Sequence, residues 1–178
     1  MMDHPSLTSV DLGNSDIMNN RNRIYDEGFM GVIQGIIKSQ HSLISELHFQ
    51  SACITGDGLC ALSLMRNVDL QVLDLSHNDL GNEGAYFLKS LMPRIVSMNL
   101  ASTKIGLKGI CELSKAIGHE ESPRLMHLDL SQNNLEAEGF ARLLTKLKSS
   151  TTLQTLLVSD NDMSLYDENL SALTAFFK

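Results

Sequence analysis

The sequence predicts a right-handed α/β solenoid of about six repeats, with a parallel sheet on its concave face and helices on its convex one. Three observations lead there. An eleven-residue apolar pattern recurs along nearly the whole chain. Each copy is followed by a helical pattern, and a glycine keeps a constant place where that second pattern starts.

The clearest copy is Leu70-Gln-Val-Leu-Asp-Leu-Ser-His-Asn-Asp-Leu80, which reads L-x-x-L-x-L-x-x-N-x-L. Residues 125–135 repeat it through Leu128, Leu130 and Asn133, and residues 153–163 through Leu156, Val158 and Asn161. Residues 95–105 keep Met98 and Leu100 but carry Thr103 in the asparagine's place. Two further copies lie upstream: 7–17, with Val10, Leu12 and Ser15, and 44–54, with Leu47, Phe49 and Ala52. Apolar residues two apart share one side of a strand, so the centre of each copy is a short strand with one buried face.

The helical pattern aligns on Gly28, Gly58, Gly84, Gly109 and Gly139, with Asn169 in the last copy. One residue on stand Phe29, Leu59, Ala85, Ile110, Phe140 and Leu170; four on stand Val32, Leu62, Leu88, Leu113, Leu143 and Leu173. Eight on stand Ile36, Met92, Ile117, Leu147 and Phe177, with Arg66 the exception and Met65 beside it. That spacing marks one apolar helix face. The glycine lets each helix start lie close to its neighbour, or else serves a left-handed backbone. Pro5, Pro93 and Pro123 each stand two residues before a strand pattern, where they stop the preceding helix.

The copies start at 7, 44, 70, 95, 125 and 153, hence 37, 26, 25, 30 and 28 residues apart. Strands lie about 4.8 Å apart and packed helices about 8–10 Å, so a stack of such units must curve with its strands inside. One domain over residues 1–178 is expected from the length and the 43% hydrophobic content.

The signature and the long, helix-bearing unit resemble the ribonuclease-inhibitor-like leucine-rich repeats, a family that includes Ran GTPase activators, tropomodulin and the NOD-like receptors. The resemblance covers nearly all of the chain. It implies a non-catalytic protein-interaction module or scaffold. The alternatives it carries are a Ran-type GTPase activator and a tropomodulin-like actin-capping module. Ran-type activators have more repeats and an acidic tail, whereas this sequence closes on Phe176-Phe177-Lys178.

A net charge of −7 argues against a sequence-independent grip on nucleic acid or anionic lipid. The start, Met1-Met-Asp-His-Pro-Ser, shows no signal peptide, and no apolar stretch approaches the roughly 18 residues of a membrane helix. Three cysteines suit a reduced protein better than a disulfide framework. A cytoplasmic protein without cofactor or metal is therefore expected. Cys60 and Cys111 share a helical position two repeats apart, roughly 16–20 Å, too far for a disulfide; with Cys53 they read as buried or idle thiols. His48, His77 and His127 fall in different columns and form no ligand set.

Departures from the pattern carry further expectations. Eleven residues, against four in the next copies, separate Ile17 from Gly28, so the insertion around residues 18–24 should be an exposed loop. The signature asparagine should turn inward and bond backbone groups inside the solenoid. Asn78, Asn133 and Asn161 can do so fully, Ser15 and Thr103 in part and Ala52 not at all, which makes the second copy the poorest in internal hydrogen bonds. The stack opens on Leu7 and closes on an apolar helix with Phe176 and Phe177, although repeat stacks normally carry polar caps. One end, the C-terminal one first, is expected to be covered by another chain or by further sequence, making this a fragment or a subunit of a larger assembly.

What remains is a surface. The column between the central apolar positions reads Asp11, His48, Asp74, Asn99, Asp129, Leu157, and the column before it Ser9, Glu46, Val72, Ser97, His127, Thr155. At the strand exits stand Asp16, Cys53, Asp79, Lys104, Asn134 and Asp162, with Asp160 nearby. Eight of these residues are acids and one, Lys104, is a base. L-D-L is also this family's usual strand. The partner-binding set expected on the concave face is Asp11, Glu46, His48, Asp74, Asp79, Asn99, His127, Asp129, Leu157 and Asp160, for a protein partner with a basic surface. Asp74 and Asp129 are expected to stand off the sheet, so that reversing either alters stability by no more than about 0.5 kcal/mol.

Overall fold

The computed structural model describes residues 6–15, 22–39, 42–66, 68–117 and 124–163. Six three-residue strands form one parallel sheet in chain order: β1 Ser9–Asp11, β2 Glu46–His48, β3 Val72–Asp74, β4 Ser97–Asn99, β5 His127–Asp129 and β6 Thr155–Leu157. Helices α1 Tyr25–Lys38, α2 Gly81–Leu88, α3 Leu107–Ser114 and α4 Glu136–Leu147 follow β1, β3, β4 and β5, and neighbouring helical segments pack on one another. This is the expected solenoid. The signature leucines fill its interior: Leu47, Leu73, Leu75, Leu100 and Leu130 are wholly buried, as are the helix residues Phe29, Leu62, Leu88, Leu113 and Leu143.

The second unit departs from the expectation of an amphipathic α-helix. It carries a 3₁₀ helix, Asp57–Leu64. The large apolar side chains buried there are Leu59, Leu62 and Met65, spaced by three. A 3₁₀ helix has three residues per turn, so this spacing keeps all three on one line, which an α-helix cannot do. In the third unit α2 likewise tightens into a 3₁₀ turn, Lys89–Leu91, and stops at Pro93. Arg94 then donates to the carbonyls of Met65 and Val68, holding the irregular end of the second unit.

Of the two readings of the helix glycine, close approach holds. A Cβ on Gly139 would lie 2.6 Å from Ile110 Cγ2, on Gly109 2.8 Å from Asn82 Oδ1, and on Gly58 2.4 Å from Asp26 Oδ1. Each obstacle belongs to the preceding unit. None of these glycines is left-handed; that conformation falls on Gly81 (φ 58°).

Left-handed residues mark the exits of β2 to β6 instead. Ser51, His77, Ser102, Gln132 and Asp160, each just before the asparagine position, have φ from 53° to 58°. This turn swings the asparagine inward. Asn78 Oδ1 accepts from the amides of Ala52 (3.0 Å) and Ile54 (2.9 Å), while Nδ2 donates to the carbonyls of Phe49, Leu75 and Ser76. Asn133 does the same for Thr103, Ile105, Leu100, Leu130 and Ser131.

The asparagine ladder reaches backward, to the preceding unit. The missing asparagine at Ala52 is therefore felt in the first unit as well as in the second, whose own carbonyls such an asparagine would also have bonded. In the first unit Asn14, not the exposed Ser15, is buried. It donates to the carbonyls of Ser51 (2.7 Å) and Asn22 (3.1 Å) and accepts from the Asn22 amide (2.9 Å). Asn22 in turn reaches the Leu12 carbonyl at 3.4 Å, the group a ladder asparagine would have served. The described end of the insertion thus takes part in the fold: Asn22 and Arg23 are exposed while Ile24 packs on the core. Asp16, residues 18–21, Pro5, Pro123, Asn169, Phe176 and Phe177 lie outside the described residues.

Two further side chains bridge units. Asp26 accepts from the Thr55 amide (2.8 Å) and hydroxyl (2.6 Å), and Asn82 Oδ1 accepts from the amides of Gly106 (2.9 Å) and Gly109 (2.8 Å). Each stands two residues before its own unit's glycine and caps the next unit's helix start from outside.

Candidate interaction face

The sheet register brings the two expected columns together. Asp11, His48, Asp74, Asn99, Asp129 and Leu157 are partners strand by strand, as are Ser9, Glu46, Val72, Ser97, His127 and Thr155. The ladder bonds keep them there, since the backbone carbonyls of His48, Asp74, Asn99, Asp129 and Leu157 each accept from the neighbouring strand at 2.8–3.0 Å.

The acids of this column do not all stand free, and here the expectation fails. Asp11, Asp74 and Asp129 each turn one oxygen onto the amide two residues on, at Gly13 (3.0 Å), Ser76 (2.9 Å) and Ser131 (2.8 Å), and Asn99 does so at Ala101 (3.1 Å). These are Asx turns that shape the strand exit. Asp74 is bonded through both oxygens: Oδ1 also accepts from the Ser76 hydroxyl (2.7 Å), and Oδ2 from Asn99 Nδ2 (3.0 Å). Asp74 and Asp129 are accordingly half-buried. Reversing them to lysine would break a turn as well as change charge, so the small stability cost expected for that change does not hold. The L-D-L strand has a structural cause of its own.

The remaining expected residues are scattered in role. Asp79 lies at the exit rather than on the strand and pairs with Lys104 at 2.6 Å, so the one base of the set is already engaged. Glu46 faces His48 at 3.7 Å, and His127 Nδ1 meets the Thr155 hydroxyl at 3.1 Å. Asp160 is exposed in a left-handed turn, and Leu157 keeps 49% of its surface in water.

Cys60 is exposed and Cys53 and Cys111 are half-buried, so of the two expected readings, buried or idle, burial does not describe them. Among the described residues, no group of three or more His, Cys, Asp or Glu side chains is placed to hold a metal, and no helix is long and apolar enough to cross a membrane.

Away from this face, Arg124, just before the fifth copy, reaches Asp69, just before the third, at 2.8 Å. A hydrogen bond from Gln71, then the Arg124 guanidinium, hold the Asp69 carboxyl below its ordinary range. A depressed carboxyl stabilises the fold above the ordinary carboxylate pKa and ceases to as pH falls through its folded value. Both partners are well exposed, so the effect is small. Asp69→Asn should melt slightly earlier than the native protein at about pH 7, and the difference should shrink as pH falls below about 4.

The leucine-rich-repeat family model matches residues 66–89 and 121–143, the third and fifth units. The chain is 34% identical over 98 residues to human NACHT, LRR and PYD domains-containing protein 13, and 28% over 157 residues to human NACHT, LRR and PYD domains-containing protein 14. The chain is a leucine-rich-repeat solenoid whose sequence is similar to these two NACHT, LRR and PYD domains-containing proteins. The two alignments cover 53% and 84% of this leucine-rich-repeat chain but only 9% and 13% of those relatives. Among solved structures, leiomodin-1 actin-binding site 2 superposes with a TM-score of 0.51 over 97% of this chain and 80% of that one. At 17% identity that likeness concerns the fold. Leucine-rich-repeat domains are in general protein-interaction modules, and this solenoid has that architecture.

Sequence reasoning found the columns but missed the Asx turns, the saturated Asp74 and the bridging Asp26 and Asn82. An acid or amide two residues before a turn, and again two before the repeat glycine, was the available signal.

Proposed function

We propose that this chain is a non-catalytic, single-domain, cytoplasmic interaction module that holds a protein partner with a basic surface on its concave sheet. The observation that carries the reading is the register itself. It lines up Asp11, Asp74 and Asp129 on one open face, where oppositely charged partners are steered and oriented. Asp79 and Asp160 extend the acidic rim at the strand exits. The superposed leiomodin-1 segment is an actin-binding site, but at 17% identity to this chain it supports no residue-level transfer of that role.

The test uses changes that remove the charge but keep the Asx turns, because asparagine can accept a hydrogen bond from the same amide. Asp11→Asn with Asp129→Asn should leave stability within about 0.5 kcal/mol. The same pair should weaken capture of the partner in affinity purification, as should raised salt, since exposed charges are screened over about 8–10 Å. Lys146→Glu, on an exposed part of α4, should leave capture unchanged. Loss of capture with Lys146→Glu but not with the aspartate pair would overturn the reading.

A further inference from the structure

We infer that the point of closest engagement on this face is its β5–β6 end, and that it takes an arginine side chain of the partner protein. The inference rests on the concave-face reading and narrows it. Hydrogen bonding separates the acids that a cation can reach from those already occupied. Asp74 has both oxygens bonded, Asn99 spends its amide nitrogen on Asp74, and Asp79 is held by Lys104. At the β1–β2 end, the register partner of Asp11 is His48, which lies against Glu46, so no apolar side chain stands opposite that carboxylate.

Asp129 is different. Among the described residues, only its Oδ1 is engaged, by the Ser131 amide, and its register partner is Leu157, half in water. A carboxylate oxygen and an exposed isobutyl group therefore stand side by side on adjacent strands, about 4.8 Å apart. An arginine combines an apolar stem with a planar, weakly hydrated guanidinium, so one side chain can lie along Leu157 and bond Asp129. Lysine carries a compact, strongly hydrated charge and gains less from the leucine. His127 and Thr155, bonded to each other at 3.1 Å, border this pair.

Blocked hexa-arginine and hexa-lysine peptides, titrated into nitrogen-labelled protein and followed by amide chemical shifts, test it. Shifts with hexa-arginine should centre on Ser131 and Leu157, and its affinity should exceed that of hexa-lysine by up to roughly fivefold, the ceiling for one exposed pair. Leu157→Ser should abolish that preference, Asp129→Asn should weaken both peptides, and Asp74→Asn should alter the arginine preference little. Shifts centred on Ser76, or a preference untouched by Leu157→Ser, would overturn the inference while leaving the concave-face reading standing. Shifts confined to the helices, or none at all, would overturn both.

Discussion

Asn133→Ala is expected to destabilise the fold by about 3 kcal/mol, the upper range for leaving buried polar groups unpaired. Its Oδ1 accepts from the amides of Thr103 and Ile105 and from the Thr103 hydroxyl, and its Nδ2 donates to three carbonyls of the fourth and fifth units. Alanine strips partners from two buried amides at once, in a place water does not reach. Asn78→Ala should cost nearly as much, because it serves Ala52 and Ile54 in the same way. Asn161→Ala should cost less, since its oxygen takes a longer bond, from Leu135 at 3.3 Å. Urea denaturation at unchanged m-value would measure the series. Losses below about 0.5 kcal/mol for all three would mean that the ladder does not stabilise the fold.

Gly56→Ala should be comparably damaging, by about 3 kcal/mol, for a steric reason. A Cβ there would sit 2.6 Å from the Leu80 carbonyl oxygen and 2.9 Å from the Gly84 amide nitrogen. Both obstacles are backbone and neither can rotate away, so the second and third units must separate. Gly139→Ala meets a methyl of Ile110 at 2.6 Å, which can shift, and should cost less. Gly31→Ala lies in α1, where no described residue comes within 4 Å of the added carbon. It should instead stabilise by about 0.5–1 kcal/mol, as alanine loses less entropy than glycine in a helix. Thermal unfolding of the three variants gives a result of opposite sign for Gly31, and a loss there would show that this face of α1 is not open.

The architecture and the two concave columns were legible in the residues alone. Both follow from local periods: side chains alternate at two residues in a strand, and Leu47, Leu73, Leu128 and their flanking residues repeat that alternation without a slip, so the register could take only one form. The glycine between strand and helix could be read for the same reason, as a position recurring in phase. The 3₁₀ helix of the second unit was not legible in the same way, since Ala85, Leu88 and Leu91 share the spacing of Leu59, Leu62 and Met65 in a unit that begins as an α-helix.

Which groups bond across units came from the folded molecule. Asp26 reaches Thr55, 29 residues on, Asn82 reaches Gly109, 27 on, and Asn14 with Asn22 takes up work that Ala52 cannot do. No periodicity within one repeat encodes such partners, because they become neighbours only when two units stack. The same holds for the acids of the face. In the sequence Asp74 and Asp129 are equals; stacking β3 beside β4 places Asn99 against one carboxylate, and stacking β5 beside β6 places Leu157 against the other. A carboxylate's remaining capacity to bind a partner depends on how many of its oxygens are already bonded, and that is set by the neighbouring strand.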